Sequence, residues 1–534
     1  MRSIVRASVL ILLPLLVTAQ QNANKADRVE WFRDLGFGMF IHWTPDSQIG
    51  AVPSHSMAGA SQDYLKRYIE DLPKTFNPRK FYPKDWAVLA KLAGMKYVVF
   101  TTKHHSGFCM FDTATTPFNI MHTPFRRDIV AEVVAAFREQ GIAPGFYYSP
   151  DDFLWLHEHG KLIQRGGADA QPASDPAFLK YDQQQVRELM TKYGPIDFLF
   201  FDGSPEGLKE LAWGIHPDVV VTRGAMQTPE QYIPGVPLEG PWEANLTMGT
   251  EWTYRPTLEN YKSGGELIRR LIETRAKGGN LLLNVGPKPD GELPIEQEER
   301  LREIALWMFV NGESIHGVRP WVVTNEQSYW FTKQKNEDTV YVFVNEKQRW
   351  KLGEWKDIVL RSVRVSPESK VSVLGQNDLV LEYHPKVIPR TTWKQEPDGL
   401  HIRAMRAQRL ATDRSWPNPA VLKITHARPA LTPPRVVTRS YREANGAVTL
   451  EGELLDMGQA PSLDVGFEYR SVEGQDVNER TDPWKTVGFV TRNSTGVFSM
   501  RATGWKRGGI YEFRAVVKHP LLTLYGADKL VRMK

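Results

Sequence analysis

One aspartate of the 534-residue chain stands where a catalytic carboxylate could be held rigidly. Asp202 follows the almost unbroken apolar run of residues 196–201, a pattern typical of a buried strand. Such a carboxylate suits a nucleophile, because a nucleophile must approach the carbon that it attacks in line. An aspartate that caps the following loop or helix would occupy the same position. The spacing alone leaves both interpretations of Asp202 open.

Basic and aromatic residues end the other strand-like runs. These residues are His42 and Trp43, His104 and His105 after Lys103, Tyr147 and Tyr148 before Ser149, and Arg223. Imidazole and guanidinium groups hydrogen-bond to hydroxyls, and aromatic rings pack against the apolar faces of sugar rings. Together with Asp202, this set is what a polyhydroxylated ligand needs.

A retaining glycosidase needs a second carboxyl group, about 5–5.5 Å from the nucleophile, to act as acid and base. The candidates after the fifth strand-like run are Glu230, Glu239, Glu243 and Glu251. A metal site is not predicted, because the sequence has neither an HExxH motif nor a set of Cys ligands. It also lacks a Gly-rich phosphate loop and a GxSxG elbow, and no cofactor is implied.

The elements that must position these side chains alternate between strand and helix. Strands are predicted at 38–42, 97–102, 144–149, 197–202, 219–222 and 280–285, and helices at 83–93, 129–140, 180–193, 265–277 and 297–311. This alternation favours an α/β fold, a (β/α)8-like barrel over residues 27–320. The active site of such a barrel lies at the carboxyl ends of the strands, where Asp202 and the basic residues are expected.

All-β patterns follow the barrel. Short strands with turns every 8–12 residues predict an antiparallel β-sandwich over residues 321–427. The proline-containing segment Arg428–Arg435 is typical of a stiff linker. Residues 432–534 predict a second β-sandwich that resembles a fibronectin type III or immunoglobulin-like domain.

The N-terminus is typical of an exported protein. Arg2 and Arg6 precede a mostly apolar run to Val17, and small residues around Ala19 suit a signal peptidase, so residues 1–19 are predicted to be a signal peptide. The mature protein is then secreted or periplasmic and free of a membrane span. Its single cysteine, Cys109, excludes an intramolecular disulfide. The net charge is only +5 and Lys and Arg are scattered, which argues against a nucleic-acid partner.

Five segments together resemble glycoside hydrolase family 29, the α-L-fucosidases. They cover residues 27–320 in the family's order, and a sandwich follows them as in the family. The segments are Phe37–Trp43, Ala93–Phe108 with the double histidine, Gly145–Ser149, Tyr193–Gly203 with Asp202, and Gly278–Pro287.

The resemblance implies a retaining exo-glycosidase that acts on terminal α-L-fucosyl groups of glycans. It places Asp202 at the nucleophile position and His42, His104, His105 and Arg223 at positions that bind fucose hydroxyls. Trp43, Tyr148 and Trp252 are predicted as aromatic residues of the sugar site. For the acid/base, Glu230 in Thr228-Pro229-Glu230 matches one family segment and Glu243 after Trp242 matches another.

The chain departs from the family pattern at three places. Ser106 stands where the family usually has Asp, Phe200 where it often has Trp, and Ser54–Met57 where an acidic-aromatic pair is common. These changes leave the sugar open, and an α-D-galactosidase on the same scaffold is an alternative. A non-catalytic carbohydrate-binding protein is a third interpretation, against which the retained Asp202 argues.

Overall fold

The computed structural model describes residues 23–346, 349–409, 417–444, 447–472, 483–520 and 522–533. The predicted signal peptide, residues 1–19, lies outside these ranges. No helix within them is long and apolar enough to cross a membrane.

The first part of the described chain alternates between helices and parallel strands, as predicted. The helices are α1 Ala26–Leu35, α2 Gln62–Lys66, α3 Leu72–Thr75, α4 Pro83–Leu92, α5 Ile129–Glu139, α6 Phe153–Glu158, α7 Pro176–Lys192, α8 Lys209–Ile215, α9 Gly264–Ala276 and α10 Ile295–Asn311. The strands are β1 Phe37–Ile41, β2 Tyr97–Lys103, β3 Ala143–Tyr148, β4 Phe198–Phe201, β5 Val220–Val221, β6 Glu243–Thr247 and β7 Asn280–Val285.

These seven strands form one curled parallel sheet in the order β5-β4-β3-β2-β1-β7-β6. The predicted barrel is therefore a half barrel of seven regular strands, and no regular strand forms between β5 and β6. The segment between them pairs irregularly, with isolated parallel bridges from Gln227 to Trp242 and from Glu230 to Asn245. Pro229 lacks a backbone donor and Gln231 has a φ of +63°, which explains why the segment forms no regular strand.

Side chains of the sheet alternate between two cores, because consecutive strand residues point to opposite faces. The inner face carries even-numbered residues of β1 and β4 and odd-numbered residues of β2 and β3, namely Phe40, Tyr97, Val99, Tyr147, Phe198 and Phe200. The outer face packs against the helices, and its members include Met39, Ile41, Phe100, Tyr148, Leu199 and Phe201. A side chain within or directly after β1, β3 or β4 therefore reaches the site only if it shares the inner-face parity. On β2, the irregular pairing between Thr101 and Lys103 shifts this parity.

Antiparallel sheets follow, as predicted. The middle part contains β8 Val318–Glu326, β9 Tyr329–Gln334, β10 Val340–Val344, β11 Trp355–Leu360, β12 Val363–Arg364, β13 Val371–Val373, β14 Thr392–Glu396, β15 Gly399–Met405, β16 Ala420–Ile424 and β17 Arg428–Pro429. Its main sheets run β13-β16-β10-β9-β8 and β11-β15-β14. The predicted linker is partly structured, because β17 pairs with β12 and Leu431 is buried in the core of this part.

The C-terminal part has its own core between two sheets. Its strands are β18 Arg435–Ala444, β19 Ala447–Asp456, β20 Leu463–Ser471, β21 Lys485–Arg492, β22 Gly496–Ala502, β23 Ile510–Lys518, β24 Thr523–Tyr525 and β25 Lys529–Arg532. One sheet runs β18-β19-β22 and the other β21-β20-β23-β24, with β25 also paired to β23. The exact domain boundaries stay a prediction.

Candidate active site

The Asp202 carboxylate lies at the carboxyl end of β4 and is the centre of a dense hydrogen-bond network. Its side chain is only 15% exposed. The Tyr147 hydroxyl donates to Oδ2 at 2.8 Å, and Arg223 Nη1 donates to Oδ1 at 2.8 Å. His105 Nε2 lies 3.3 Å from Oδ2, and Arg165 Nη2 lies 3.6 Å from Oδ1. Both carboxylate oxygens are therefore held in place by groups of other elements.

Charge keeps Asp202 ionised despite its burial. Burial alone would raise the pKa of this carboxyl, but His105, Arg223 and Arg165 outweigh it and hold the pKa well below its usual range. A carboxylate that is rigid, desolvated and ionised has the properties of a nucleophile.

His42 and His104 present opposite hydrogen-bonding characters to the site. Asn284 donates its amide to the Trp252 carbonyl, so its Oδ1 is free to accept from His42 Nδ1 at 2.7 Å. His104 Nδ1 instead accepts from the His105 backbone N–H at 2.9 Å. Burial lowers the pKa of His42 to about 3 and the pKa of His104 well below its usual value, so both rings are neutral. This network assigns an accepting Nε2 to His42 and a donating Nε2–H to His104.

Aromatic rings line the floor and one wall of the site. His104 stacks on Tyr147 with ring centroids 5.0 Å apart, and Tyr147 stacks on Phe200 at 5.7 Å. Trp252 lies against His42, with centroids 4.9 Å apart. The Arg223 guanidinium lies 4.6 Å from the centroid of the Phe200 ring. Phe200 therefore supports Arg223 from within the sheet interior, where it is 1% exposed.

Arg223 joins two of the three carboxylates that are predicted as catalytic, Asp202 and Glu230. Its Nη2 donates to Glu230 Oε2 at 2.8 Å while Nη1 binds Asp202, and Nε donates to Thr228 Oγ1 at 3.1 Å. Retaining glycosidases separate their carboxyls by about 5–5.5 Å, which one guanidinium can span. The Glu230 side chain is 45% exposed, so it faces the open side of the site.

The structure adds three residues to the site that are not among the predicted site residues, Asp151, Arg165 and Asn284. Tyr147, which is predicted only as one of the aromatic residues at the end of its strand, donates directly to Asp202. Asp151 Oδ2 lies 3.8 Å from His105 Nδ1, which also contacts Ser149 Oγ at 2.5 Å. Tyr147 and Asn284 point to the inner face of the sheet, as Phe200 and His42 do, and the alternation of side chains along each strand makes this visible in the sequence. Arg165 lies in an irregular segment between α6 and α7, where periodicity gives no signal.

Trp43 and Tyr148 do not reach the site, which corrects their predicted placement. Trp43 is fully buried on the outer face against Phe76, Phe81 and Trp86. The Tyr148 hydroxyl lies 2.6 Å from Asp182 Oδ1, in a buried network with Lys103 on the helix side of the sheet. Both residues have the wrong parity on their strands. Each is the outward neighbour of an inward residue, His42 and Tyr147.

This parity predicts different phenotypes for two neighbouring tyrosines. Tyr147→Phe keeps the ring stacks but removes a donor to Asp202, so kcat/KM should fall about tenfold, with stability nearly unchanged. Tyr148→Phe removes a buried contact to Asp182 and should destabilise the fold by about 1–3 kcal/mol with kcat/KM nearly unchanged. Glycosidase kinetics and urea unfolding of both variants measure the contrast. The reverse pattern would contradict the assignment of the two faces.

Glu243 lies at the wrong end of the sheet for an acid/base. It is the first residue of β6, and its Oε2 accepts from the hydroxyl of Tyr97, the first residue of β2, at 2.5 Å. Asp202 instead follows the last residue of β4. Glu243 is fully buried, and its Oε1 has no hydrogen-bond partner in the part of the chain that is described. Of the two predicted candidates, the structure brings only Glu230 to Asp202.

The buried Glu243 makes stability depend on pH. Burial raises the pKa of its carboxyl from 4.5 to about 7, so the folded chain keeps a proton that the unfolded chain releases. Its contribution is fully present below about pH 4.5 and is lost as the pH rises through about 7. Glu243→Gln should be more stable than the parent at pH 8 by on the order of 3 kcal/mol, and nearly equal at pH 4. Urea unfolding at both pH values tests this, and an equal difference at both would refute it.

Three side chains of the site could also face a cation. Ligand atoms of His104, His105 and Asp202 lie within 4.8 Å of one another. However, Arg223 and Arg165 both approach Asp202 Oδ1, and His104 Nδ1 already accepts a backbone hydrogen bond. Two guanidinium groups beside the same carboxylate oppose a divalent cation. The donor set therefore fits a sugar hydroxyl better than a metal.

Comparisons with known proteins agree with this geometry. A family model described as alpha-L-fucosidase matches residues 17–313. Plasma alpha-L-fucosidase of Rattus norvegicus is 28% identical over 464 residues, which cover 75% of this chain and 95% of the rat protein.

Two solved structures are similar over most of their length. Alpha-L-fucosidase isoenzyme 1 from Paenibacillus thiaminolyticus is 30% identical with a TM-score of 0.60, covering 74% of this chain and 98% of that one. Alpha-fucosidase from Thermotoga maritima, in complex with a mechanism-based inhibitor, is 26% identical with a TM-score of 0.56, covering 74% and 96%. With the half barrel and the Asp202 site in place, these matches show that the chain belongs to the alpha-L-fucosidase family, glycoside hydrolase family 29.

Proposed function

We propose that this protein is an exported exo-α-L-fucosidase that releases terminal α-linked fucose from oligosaccharides or polysaccharides with retention of configuration. The observation that carries the proposal is the pairing of two carboxylates on one guanidinium: Asp202 and Glu230 both bind Arg223. Only Asp202 is enclosed, which separates a buried nucleophile from a solvent-facing acid/base.

In the first step, an Asp202 oxygen attacks C1 of the fucosyl group. The bond from C1 to the leaving oxygen breaks, and Glu230 donates a proton to that oxygen. The product is an ester between Asp202 and C1. In the second step, a water molecule gives a proton to Glu230 and its oxygen attacks C1, which releases fucose and restores both carboxyls.

The sugar hydroxyls are proposed to bind the two neutral imidazoles. His42 Nε2 accepts and His104 Nε2–H donates, so the pair can bind two hydroxyls with a fixed direction of donation. Trp252, beside His42, offers an aromatic surface to an apolar face of the sugar. The rat relative and the Paenibacillus protein are named alpha-L-fucosidases, and the Thermotoga protein is named an alpha-fucosidase.

A panel of aryl glycosides tests the substrate and the stereochemistry together. We expect hydrolysis of an aryl α-L-fucoside with much weaker hydrolysis of the aryl α-D-galactoside. NMR of the first turnovers should show α-fucose before mutarotation. A preference for the galactoside would support the alternative enzyme, and saturable binding without hydrolysis would support the non-catalytic protein. Release of β-fucose first would overturn the retaining mechanism.

Export is proposed from the N-terminal sequence alone. Arg2, Arg6 and the apolar run to Val17 support cleavage after Ala19. Expression with the natural N-terminus and sequencing of the exported protein should give a chain that begins at Gln20. A cell-retained protein that keeps its first 19 residues would contradict the proposal.

A further inference from the structure

The C-terminal part of the chain contacts the loop that follows Glu230. Asp528, between β24 and β25, places its carboxylate against Gly235 in the loop of residues 231–241. A Cβ on Gly235 would lie 2.6 Å from Asp528 Oδ2 and 3.0 Å from its Cγ. The three heavy atoms nearest to that position all belong to Asp528. With the Asp528 carboxylate in this position, a side chain at residue 235 would collide with it.

The barrel side holds the same point of the loop. Lys277, which follows α9 and is 4% exposed, donates from Nζ to the Pro234 carbonyl at 2.6 Å. A second bond from Nζ to Glu273 Oε1 at 2.5 Å fixes the ammonium group. The neighbouring residues Pro234 and Gly235 are thus held by the half barrel and by the C-terminal part, respectively.

The segment that contains Asp528 is itself fixed. Leu522, just before β24, is buried in the core of the middle part of the chain. Asp528 Oδ1 is buried and has no hydrogen-bond partner in the described ranges, and burial raises the pKa of this carboxyl to about 6. Because Oδ1 makes no hydrogen bond there, Asp528 acts on Gly235 through the space that it fills.

Only a short path joins this contact to the acid/base. Glu230 is bracketed by backbone hydrogen bonds to β6, from Asn245 N to the Pro229 carbonyl at 3.0 Å and from Gln231 N to the Asn245 carbonyl at 2.9 Å. Between Gln231 and the contacts at Pro234 and Gly235 lie only two residues. A displacement of Gly235 therefore reaches the segment that aims the Glu230 carboxylate.

We propose that the C-terminal β-sandwich positions the acid/base, because Asp528 fixes Gly235 and thereby the distance of Glu230 from Asp202. The proposal rests on the proposed function of Glu230. Asp528 contacts no reacting atom and is a positioning residue. The C-terminal part is then a structural component of catalysis rather than a spacer.

Gly235→Ala in the full chain tests the contact. Gly235 has no left-handed φ, so the added methyl group acts through its collision with Asp528. The readout is kcat/KM for two α-L-fucosides, one with an alcohol leaving group and one with a strongly acidic phenol. Only the alcohol needs a proton from Glu230, so its kcat/KM should fall about tenfold while that of the phenol falls less than about threefold. A structural defect would lower both equally.

Second-site variants separate position from general damage. In the Gly235→Ala background, Asp528→Ala removes the collision, and the methyl group at residue 235 then fills part of the space that the carboxylate occupied. This second change should restore kcat/KM for the alcohol leaving group to within about threefold of the parent. Asp528→Asn keeps the size of the side chain and should not restore it. Gly214→Ala, at a glycine of α8 with open space around its Cβ position, is the matched control and should behave as the parent.

The outcomes distinguish this proposal from the proposed function. Glu230→Gln is measured on the same two substrates. If it shows the leaving-group dependence and Gly235→Ala does not, the positioning role is wrong while the acid/base stands. If Glu230→Gln shows none, the acid/base assignment itself fails. Equal losses on both substrates, or no rescue by Asp528→Ala, would also overturn the positioning role.

Discussion

Asp202→Ala is expected to lower kcat for α-L-fucoside hydrolysis by about 10⁴-fold or more, as removal of a covalent nucleophile does in other enzymes. Both oxygens of the Asp202 carboxylate are held by residues of the site, Oδ1 by Arg223 and Oδ2 by Tyr147 and His105. The neighbouring Asp151 carboxylate lies beside the other ring nitrogen of His105 and is not in a position to replace Asp202. The loss should therefore be the same for good and poor leaving groups.

Azide provides a positive signal in the nucleophile variant. Azide fits the space left by the Asp202 carboxylate and can attack C1 directly, forming a C1–N bond as the C1–O bond breaks. Because this is one displacement, the product should be β-fucosyl azide, with inverted configuration. Appearance of the α-azide would contradict the nucleophile assignment.

Asp197→Asn is a matched control on the same strand. Asp197 precedes β4 at its opposite end and pairs with Arg28 at 2.7 Å, remote from the site. It should keep nearly full activity. Thermal unfolding of both variants establishes that Asp202→Ala is folded, and near-normal turnover by Asp202→Ala would end the assignment.

The pH dependence of this nucleophile has a defined sign. His105, Arg223 and Arg165 hold the pKa of Asp202 well below its usual range against the effect of burial. Its ionised form is therefore retained through mildly acidic pH, and the stability that it contributes is lost only as the pH falls through the lowered pKa. An acidic limb of kcat/KM near neutral pH would have to come from another group.

Sequence periodicity is sufficient to predict the order of strands and helices, because buried parallel strands and amphipathic helices leave strong local patterns. It also identifies Asp202, His42 and His104, since each comes at the end of such a strand. The errors at Trp43 and Tyr148 are errors of face. Both strands are apolar on both sides, so composition does not show which side faces the interior. Phe200 lies two residues before Asp202 and so faces the same side of the sheet, and Tyr147 is its partner on the neighbouring strand. This relation identifies Tyr147, rather than Tyr148, as the tyrosine that faces the site.

Other features depend on contacts between distant parts of the chain. Arg165, in an irregular segment, lies close to Asp202. Asp528 contacts Gly235 although almost 300 residues separate them in the sequence. Glu243 is predicted as an acid/base candidate because Trp242-Glu243 matches a segment of the family. Its position at the start of β6, bonded to Tyr97, is decided by strand register alone.

Arg223 explains why two carboxylates can be close in the free enzyme. Two carboxylates that share one guanidinium would repel each other, and the positive charge between them offsets that repulsion. The Arg223 guanidinium also lies over the Phe200 ring. Phe200 stands where the family often has Trp. Besides lining the sugar site, its ring therefore lies beneath Arg223, the residue that joins the proposed catalytic pair.

Glu230→Ala is expected to lower kcat/KM by about 10²–10⁴-fold for a fucoside with an alcohol leaving group. With a strongly acidic phenol, the first step needs no proton, so kcat/KM should remain within a few-fold of the parent. The second step still lacks a base, so kcat should fall and the ester on Asp202 should accumulate. A burst of phenol, and a mass increase of one fucosyl group on the protein, would show that ester.

Azide separates Glu230 from Glu243. In Glu230→Ala, azide needs no base and can attack the ester on Asp202 from the face that the leaving group vacated. Two displacements give α-fucosyl azide, opposite to the product of the Asp202 variant, and kcat should rise with azide concentration. Glu243 is fully buried against Tyr97, so its side chain does not reach the substrate. In Glu243→Gln, azide should therefore not change kcat, and fucosides with either leaving group should react as they do with the parent. Azide rescue in a Glu243 variant, with none in Glu230→Ala, would reverse the assignment and would require the floor of the half barrel to open during turnover.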